Sequence, residues 1–310
     1  MEEAAAISSS HSLKSWYVRG CRYAVVTGGN KGIGLEICRQ LASNGVMVVL
    51  TARSEKRGIE AVEKLRSCYG LHDSVVFHQL DVVHPSSISS LLQFIKINFG
   101  KLDILVNNAG VLGVVADENA LKASAGGKIN WKGVLTQNYE LTEECLEINY
   151  NGTKKMVEAF LPLLQLSKSP RIVNLTSGWA KLENIGNERA KRVLSNVEGE
   201  VAEVDEVVSE YLEDLRKVGA AAMQEKGWPS IMSAYAVSKA AMNAYSRIIA
   251  HKFPSCQVNC VCPGYVKTDI TYHTGDFTAE EGASAVVRVA LQPEDGPSGV
   301  FFDRQEIISF

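Results

Sequence analysis

The chain has 310 residues, 46% hydrophobic and 22% charged, which is enough apolar material for a sizeable core. Its formal charge of −3 and pI near 6.1 supply no bulk attraction to nucleic-acid phosphates or anionic membranes, so both are disfavoured as partners, although a local basic cluster can still hold one phosphate. The seven cysteines are odd in number and scattered, as expected of reduced thiols in a cytoplasmic protein.

Residues 1–20, MEEAAAISSSHSLKSWYVRG, have no continuous apolar stretch, and Glu2 and Glu3 are unlike a secretory or organelle leader; a disordered extension is expected here, with the folded domain over 21–310. No apolar run elsewhere reaches the about 18 residues needed to span a bilayer. From Tyr23 onward, short β-branched runs alternate with longer amphipathic ones: YAVVTGG, VMVVLTAR, SVVFHQLDV, LDILVNNAG, RIVNLTS, QVNCVCPG and SGVFFD. Nearly continuous apolar strands separated by helix-length segments predict a doubly wound α/β domain of Rossmann type, with seven parallel strands covered on both faces. In such sheets ligands bind beyond the carboxyl ends of the strands, so the loops there matter most.

The first such loop lies in YAVVTGGNKGIGLEICRQLA, a strand, a glycine-rich turn and a helix. Gly28, Gly32 and Gly34 would let backbone approach a pyrophosphate at the helix N-terminus, and Asn30, Lys31 and Ile33 complete the candidate cofactor-contacting turn. A purely structural tight turn is the competing account of the glycines. The second strand ends in Ala52 and Arg53, 19 residues beyond Gly34, where a carboxylate would read an unphosphorylated ribose. A guanidinium suits a 2′-phosphate instead, with Lys31 as a second positive charge, and NADPH/NADP+ is the predicted cofactor. Two solvated surface cations are the bland alternative.

Two connections are long for this plan. Residues 111–137 carry ASAGGKINW and read as a mobile polar loop. Residues 178–230 form an insert in which Val204, Val207, Val208, Tyr211, Leu212 and Leu215 make the stripe of an amphipathic helix, to be packed on the domain body or on another subunit. Asn151 and Asn174 head NGT and NLT, which match the glycosylation sequon and read as incidental. Cys256, Cys260 and Cys262 fit no zinc spacing; a half-buried strand explains them, and no metal is expected.

From about Arg22 onward the chain resembles the short-chain dehydrogenase/reductase family through TGGNKGIG, LDV, NNAG, INYNG, NLTS, YAVSK and PGYVKT, in that order. The insert before YAVSK is similar to that of the monomeric carbonyl-reductase-like branch, plant enzymes of the salutaridine reductase and neomenthol dehydrogenase type. The resemblance implies that Tyr235 protonates a carbonyl oxygen as hydride arrives, from the pro-S face. An ordinary phenol has a pKa near 10, so a cation stabilising phenolate would ease proton exchange, and Lys239, one helical turn on, is placed for that and for the nicotinamide ribose. Ser177 is assigned to the substrate oxygen, with Thr176 as rival better suited to an inward-facing strand position. Asn149 is implied to hold a water in the proton relay, or is a helix-kink or packing residue. Asp81 and Val82 are placed at the adenine. Asn108, Ala109 and Gly110 fall beside the adenosine ribose, and Asn107 either joins them or fastens adjacent strands. Pro263 and Gly264 shape a turn that lets Val266 and Thr268 reach the carboxamide.

The implied activity is NADPH-dependent reduction of an apolar, cyclic terpenoid or alkaloid ketone, or of an aldehyde, to an alcohol by a monomer. Candidate pocket walls are Trp131, Trp179, Trp228, Tyr265, Tyr272 and Phe277. Reduction of an activated C=C bond is one alternative. A non-catalytic NADPH-binding regulator is another, and it gives no chemical reason for Asn149, Ser177, Tyr235 and Lys239 to occur together.

Overall fold

The computed structural model describes residues 21–117 and 134–310. The extension over 1–20, most of ASAGGKINW's loop and Trp131 lie outside them. The main sheet contains β1 (Arg22–Val26), β2 (Val46–Ala52), β3 (Val75–Gln79), β4 (Ile104–Asn107), β7 (Arg171–Leu175), β8 (Gln257–Cys262), β9 (Phe301–Asp303) and β10 (Glu306–Ile308). Their spatial order is β10-β9-β8-β7-β4-β1-β2-β3. The seven expected strands are present and mutually parallel. The strand count is corrected by β10, which turns back antiparallel on β9 and pairs Ile307 with Phe302. Three mostly exposed residues, EII, give β10 no hydrophobic pattern to read. A small antiparallel pair, β5 (Val115–Ala116) and β6 (Leu135–Thr136), lies within the connection expected to be only a loop.

Period-two alternation divides each central strand between two cores. Tyr23 and Val25 of β1, with Met47 and Val49 of β2, join one cluster; Ala24 and Val26, with Val46, Val48 and Leu50, join the other. The second cluster is closed by α1 (Gly32–Ser43), α2 (Glu55–Tyr69) and, near the C-terminus, α9 (Ala279–Ala290). The first is closed by α3 (Pro85–Phe99), by α4 (Tyr139–Leu146) running into α5 (Thr153–Leu164), and by α8 (Ser233–Lys252). Strand order reverses between β1 and β4, which opens a crevice at their carboxyl ends.

The insert folds as α6 (Glu188–Ser195), capped by the Asn187 side chain, and α7 (Val201–Ala222), which opens with a Glu200–Glu203 capping box and kinks at Gly219. The predicted apolar stripe packs inward onto the domain body: Val204, Val207 and Tyr211 are fully buried, and Asp205 takes hydrogen bonds from Tyr150 (2.8 Å) and Lys154 (2.7 Å). Trp228, read as a pocket wall, is core instead: it meets the Tyr211 ring edge-on at 5.1 Å and donates its indole N–H to Asp214. On β8 all six residues are buried, including Cys260 and Cys262, so the strand is a fully interior one and not half-buried. Asn174 is buried on β7, accepting from Asn107 (2.8 Å) and donating to Ser246 (2.7 Å); Asn107 therefore fastens β4 to β7. Among the described residues no helix is long and apolar enough to cross a membrane.

Trp228→Ala should therefore cost about 3–5 kcal/mol of stability through cavity formation under α7. Urea unfolding followed by circular dichroism measures this; an unchanged midpoint would contradict the core assignment.

Candidate active site

The crevice is built first from the turn between β1 and α1. Gly28 adopts φ +65, a left-handed conformation that side chains with a Cβ rarely tolerate. Gly34 sits so close to the neighbouring turn that a Cβ there would lie 2.4 Å from both the Gly28 carbonyl oxygen and the Asn108 amide. That amide donates to the carbonyls of Thr27 (2.8 Å) and Gly28 (3.1 Å), while the backbone N–H groups of Asn108 and Ala109 both donate to Thr27 Oγ1 at 2.9 Å. The turns after β1 and β4 are thus one interlocked unit. Thr27 is the residue that sequence reasoning passed over, hidden because it looks like the last residue of a strand.

Above this unit α1 begins with no side-chain cap and no acidic residue in its first turn. Its first N–H groups and the positive end of its dipole therefore suit an anion. They face a crevice of about 630 Å³ whose walls include Gly28, Asn30, Lys31, Gly32, Ile33, Gly34, Arg53, Asp81, Val82, Asn108, Ala109, Gly110, Pro263 and Thr268. The residues fit a nicotinamide dinucleotide: a close-approach glycine turn, an open helix N-terminus, and at the far end the Thr176 hydroxyl, buried with no partner. Two predicted cofactor residues, Gly264 and Val266, line an adjoining cavity instead. Lys31 is already paired, its ammonium 2.6 Å from Asp269, which also lies 3.1 Å from His273 Nε2; Lys31 holds the Asp269 carboxyl below the usual range.

Tyr235 and Lys239 lie one turn apart on α8 and both line the crevice. Lys239 Nζ donates to the Leu175 carbonyl at 2.7 Å and sits 5.8 Å from the Tyr235 ring centre. Burial lowers the Lys239 ammonium to about 8, because a charged amine loses hydration that one carbonyl does not replace. Burial also raises the Tyr235 phenol above its ordinary value, with Cys262 adding to the rise and a hydrogen bond to Ser177 opposing it. The direction is therefore opposite to phenolate stabilisation.

A second cavity, of about 680 Å³, adjoins the first. Tyr235, Thr176, Pro263 and Thr268 are among the eight walls the two share, with Ile33, Leu112, Ile270 and Tyr272; Lys239 belongs to the first alone and Ser177 to the second alone. Tyr235 therefore stands at the junction. Thr176 follows the end of β7 and is a wall of both spaces, which an inward-facing strand position did not anticipate. Of the candidate aromatic walls, Trp179, Tyr265 and Tyr272 line the second cavity, whereas Phe277 packs under the Arg304 guanidinium at 3.9 Å. Met232 and Tyr272, both walls, hold left-handed φ values of 50 and 51, unusual for residues with a Cβ and invisible to composition.

Asn149 is brought near but not into the walls. It lies in a six-residue π turn, Glu147–Gly152, between α4 and α5. Its amide donates to Val111 O (2.9 Å) and Ser238 Oγ (3.0 Å), and its carbonyl accepts from Val111 N (2.9 Å). A Cβ on Gly110 would sit 3.0 Å from Asn149 Oδ1 and 3.6 Å from Lys239 Nζ, so both side chains converge on the same glycine. The packing and kinking roles anticipated for Asn149 are thus occupied.

A family profile described as short chain dehydrogenase matches residues 22–189, and one described as Enoyl-(Acyl carrier protein) reductase matches 216–300. (+)-Neomenthol dehydrogenase of Arabidopsis thaliana is 54% identical over 93% of this chain and 98% of its own. The solved structure of salutaridine reductase from Papaver somniferum superposes with a TM-score of 0.85 at 50% identity, covering 91% of this chain and 99% of that one. Human carbonyl reductase [NADPH] 1 is 35% identical over 93% of this chain and 98% of its own.

Burial of Lys239 also has a thermodynamic signature. Between pH 8 and the ordinary lysine value of 10.5, the folded amine is neutral while the unfolded lysine still binds a proton, so stability rises with pH across that window. The stability of wild type minus that of Lys239→Met should climb by roughly 3 kcal/mol from pH 8 to 10.5, measured by urea unfolding without cofactor. A flat difference would refute the buried-ammonium account.

Proposed function

The chain belongs to the short-chain dehydrogenase family, an oxidoreductase of the class acting on the CH–OH/C=O couple, and from that premise we propose that it reduces an apolar ketone or aldehyde to an alcohol with NADPH. The observation that carries the reading is the placement of Tyr235 at the junction of the two cavities, with Lys239 on one side and Ser177 on the other. Bound in the first cavity, the cofactor supplies a hydride from nicotinamide C4. A carbonyl compound in the second cavity presents its oxygen to the Tyr235 and Ser177 hydroxyls.

Tyr235 donates the proton. Its raised pKa keeps it a neutral phenol throughout the neutral range, the form a reduction requires. Ser177 hydrogen-bonds the same oxygen as negative charge develops there. The buried Lys239 amine, held by Leu175 O, orients toward the cofactor ribose and the tyrosine, and Asn149, pinned to Val111, carries a water behind it in the proton relay. Arg53 supports a 2′-phosphate. Lys31 joins it by leaving Asp269, an exposed pairing whose loss costs little. The names of the relatives, neomenthol dehydrogenase and salutaridine reductase, favour cyclic terpenoid or alkaloid ketones.

Tyr235→Phe should lower kcat on reducible ketones by at least about 100-fold while NADPH still binds. Retained turnover in the variant would overturn the assignment. Chromatography of the products separates the alternative suggested by the enoyl-reductase profile over 216–300: an enone converted to a saturated ketone would mark C=C reduction. Arg53→Ala should weaken NADPH binding by about tenfold or more and leave NADH binding nearly unchanged, as isothermal calorimetry would register; equal losses for both cofactors would remove Arg53 from the phosphate site.

A further inference from the structure

The second cavity is walled mostly by apolar and aromatic groups, among them Trp179, Tyr265, Ile270 and Tyr272, and Asp303 is set among them. Asp303 ends β9, opposite Cys262 in the parallel ladder. The Cys262 thiol is pushed up by burial first and then by the neighbouring Asp303 carboxylate, and both residues line the cavity with Gly178, the residue after Ser177. The carboxylate therefore stands one side chain away from the strand end that carries Ser177. A thiol is a weak donor and leaves a carboxylate most of its acceptor capacity.

Nearby cations are committed elsewhere. Among the described residues no salt bridge reaches Asp303; the adjacent Arg304 guanidinium stacks 3.9 Å above Phe277, Lys31 and His273 both attend Asp269, and Lys181, a wall of the same cavity, lies 4.0 Å from Glu183, which is a wall as well. An unpaired carboxylate inside an aromatic-walled cavity is complementary to an alkylammonium, attracted both by the charge and by the faces of the rings.

We infer that Asp303 is a specificity-determining residue of this cavity and that its substrates are carbonyl compounds bearing a protonated amine, the ammonium resting on Asp303 while the carbonyl oxygen meets Tyr235 and Ser177. This rests on the carbonyl-reductase reading and narrows it from apolar ketones in general to cationic ones. A terpenoid ketone, with no cation, leaves Asp303 uncompensated.

The test compares a dimethylamino-substituted cyclohexanone, protonated at pH 7, with its neutral isopropyl-substituted isostere, using full-length protein and NADPH. The wild type should show the higher kcat/KM for the ammonium ketone, and that preference should shrink as ionic strength rises. In Asp303→Asn the ratio of the two kcat/KM values should fall about tenfold. Glu306→Gln, which removes the charge opposite Asp303 on β10 but outside the cavity, should keep the wild-type ratio. A ratio unaltered in Asp303→Asn, or one that falls equally in Glu306→Gln, would overturn the inference while leaving carbonyl reduction intact. A wild type that reduces neither ketone, nor any other carbonyl compound, would overturn both.

Discussion

The whole site depends on the absence of one side chain. At Gly34 the first turn of α1 comes so close to the turn after β4 that the Gly28 carbonyl and the Asn108 amide occupy the space a Cβ would need. This contact seats α1 with its N-terminus over the crevice and binds two loops, separated by about eighty residues of sequence, through Thr27 and Asn108. Everything downstream inherits that geometry: the open helix end for an anion, Gly110 beside Lys239, and the Val111 backbone that Asn149 holds.

Much of this was legible because it is written in local pattern. Alternating apolar residues in β1 and β2 dictate burial on two faces, and the i, i+3, i+4 stripe of α7 dictates a packed helix. Other features depend on contacts between distant segments and leave no mark in one stretch of chain. β10 is stabilised by pairing with β9 and not by its own hydrophobicity. As a loop aromatic Trp228 reads as a pocket wall, whereas Tyr211 and Asp214, on a helix preceding it, draw it into the core. The split of the PGYVKT turn between two cavities, the pairing of Lys31 with Asp269 and the position of Thr176 in the wall of both spaces likewise follow from how loops meet, not from which residues they contain.

Electrostatics in the crevice is governed by burial more than by pairing. The lysine is made a weaker acceptor of protons and the tyrosine a weaker acid, so both relax toward neutral forms. Near pH 7 the tyrosine is neutral while the lysine, at about 8, keeps most of its proton, so Lys239 is the positive charge beside the reacting centre. The interior thiols of Cys145 and Cys260, pushed up to about 12, stay protonated beside it and add none.

The clasp of Asn107, Asn174 and Ser246 has a consequence for biogenesis. Asn174 heads an NLT sequon, yet its amide is wholly buried between β4, β7 and α8, giving one hydrogen bond and receiving another. A glycan attached to that nitrogen before folding would have to be enclosed in the sheet, so modification and the native state exclude each other. The chain can reach this fold only where that sequon escapes the glycosylation machinery.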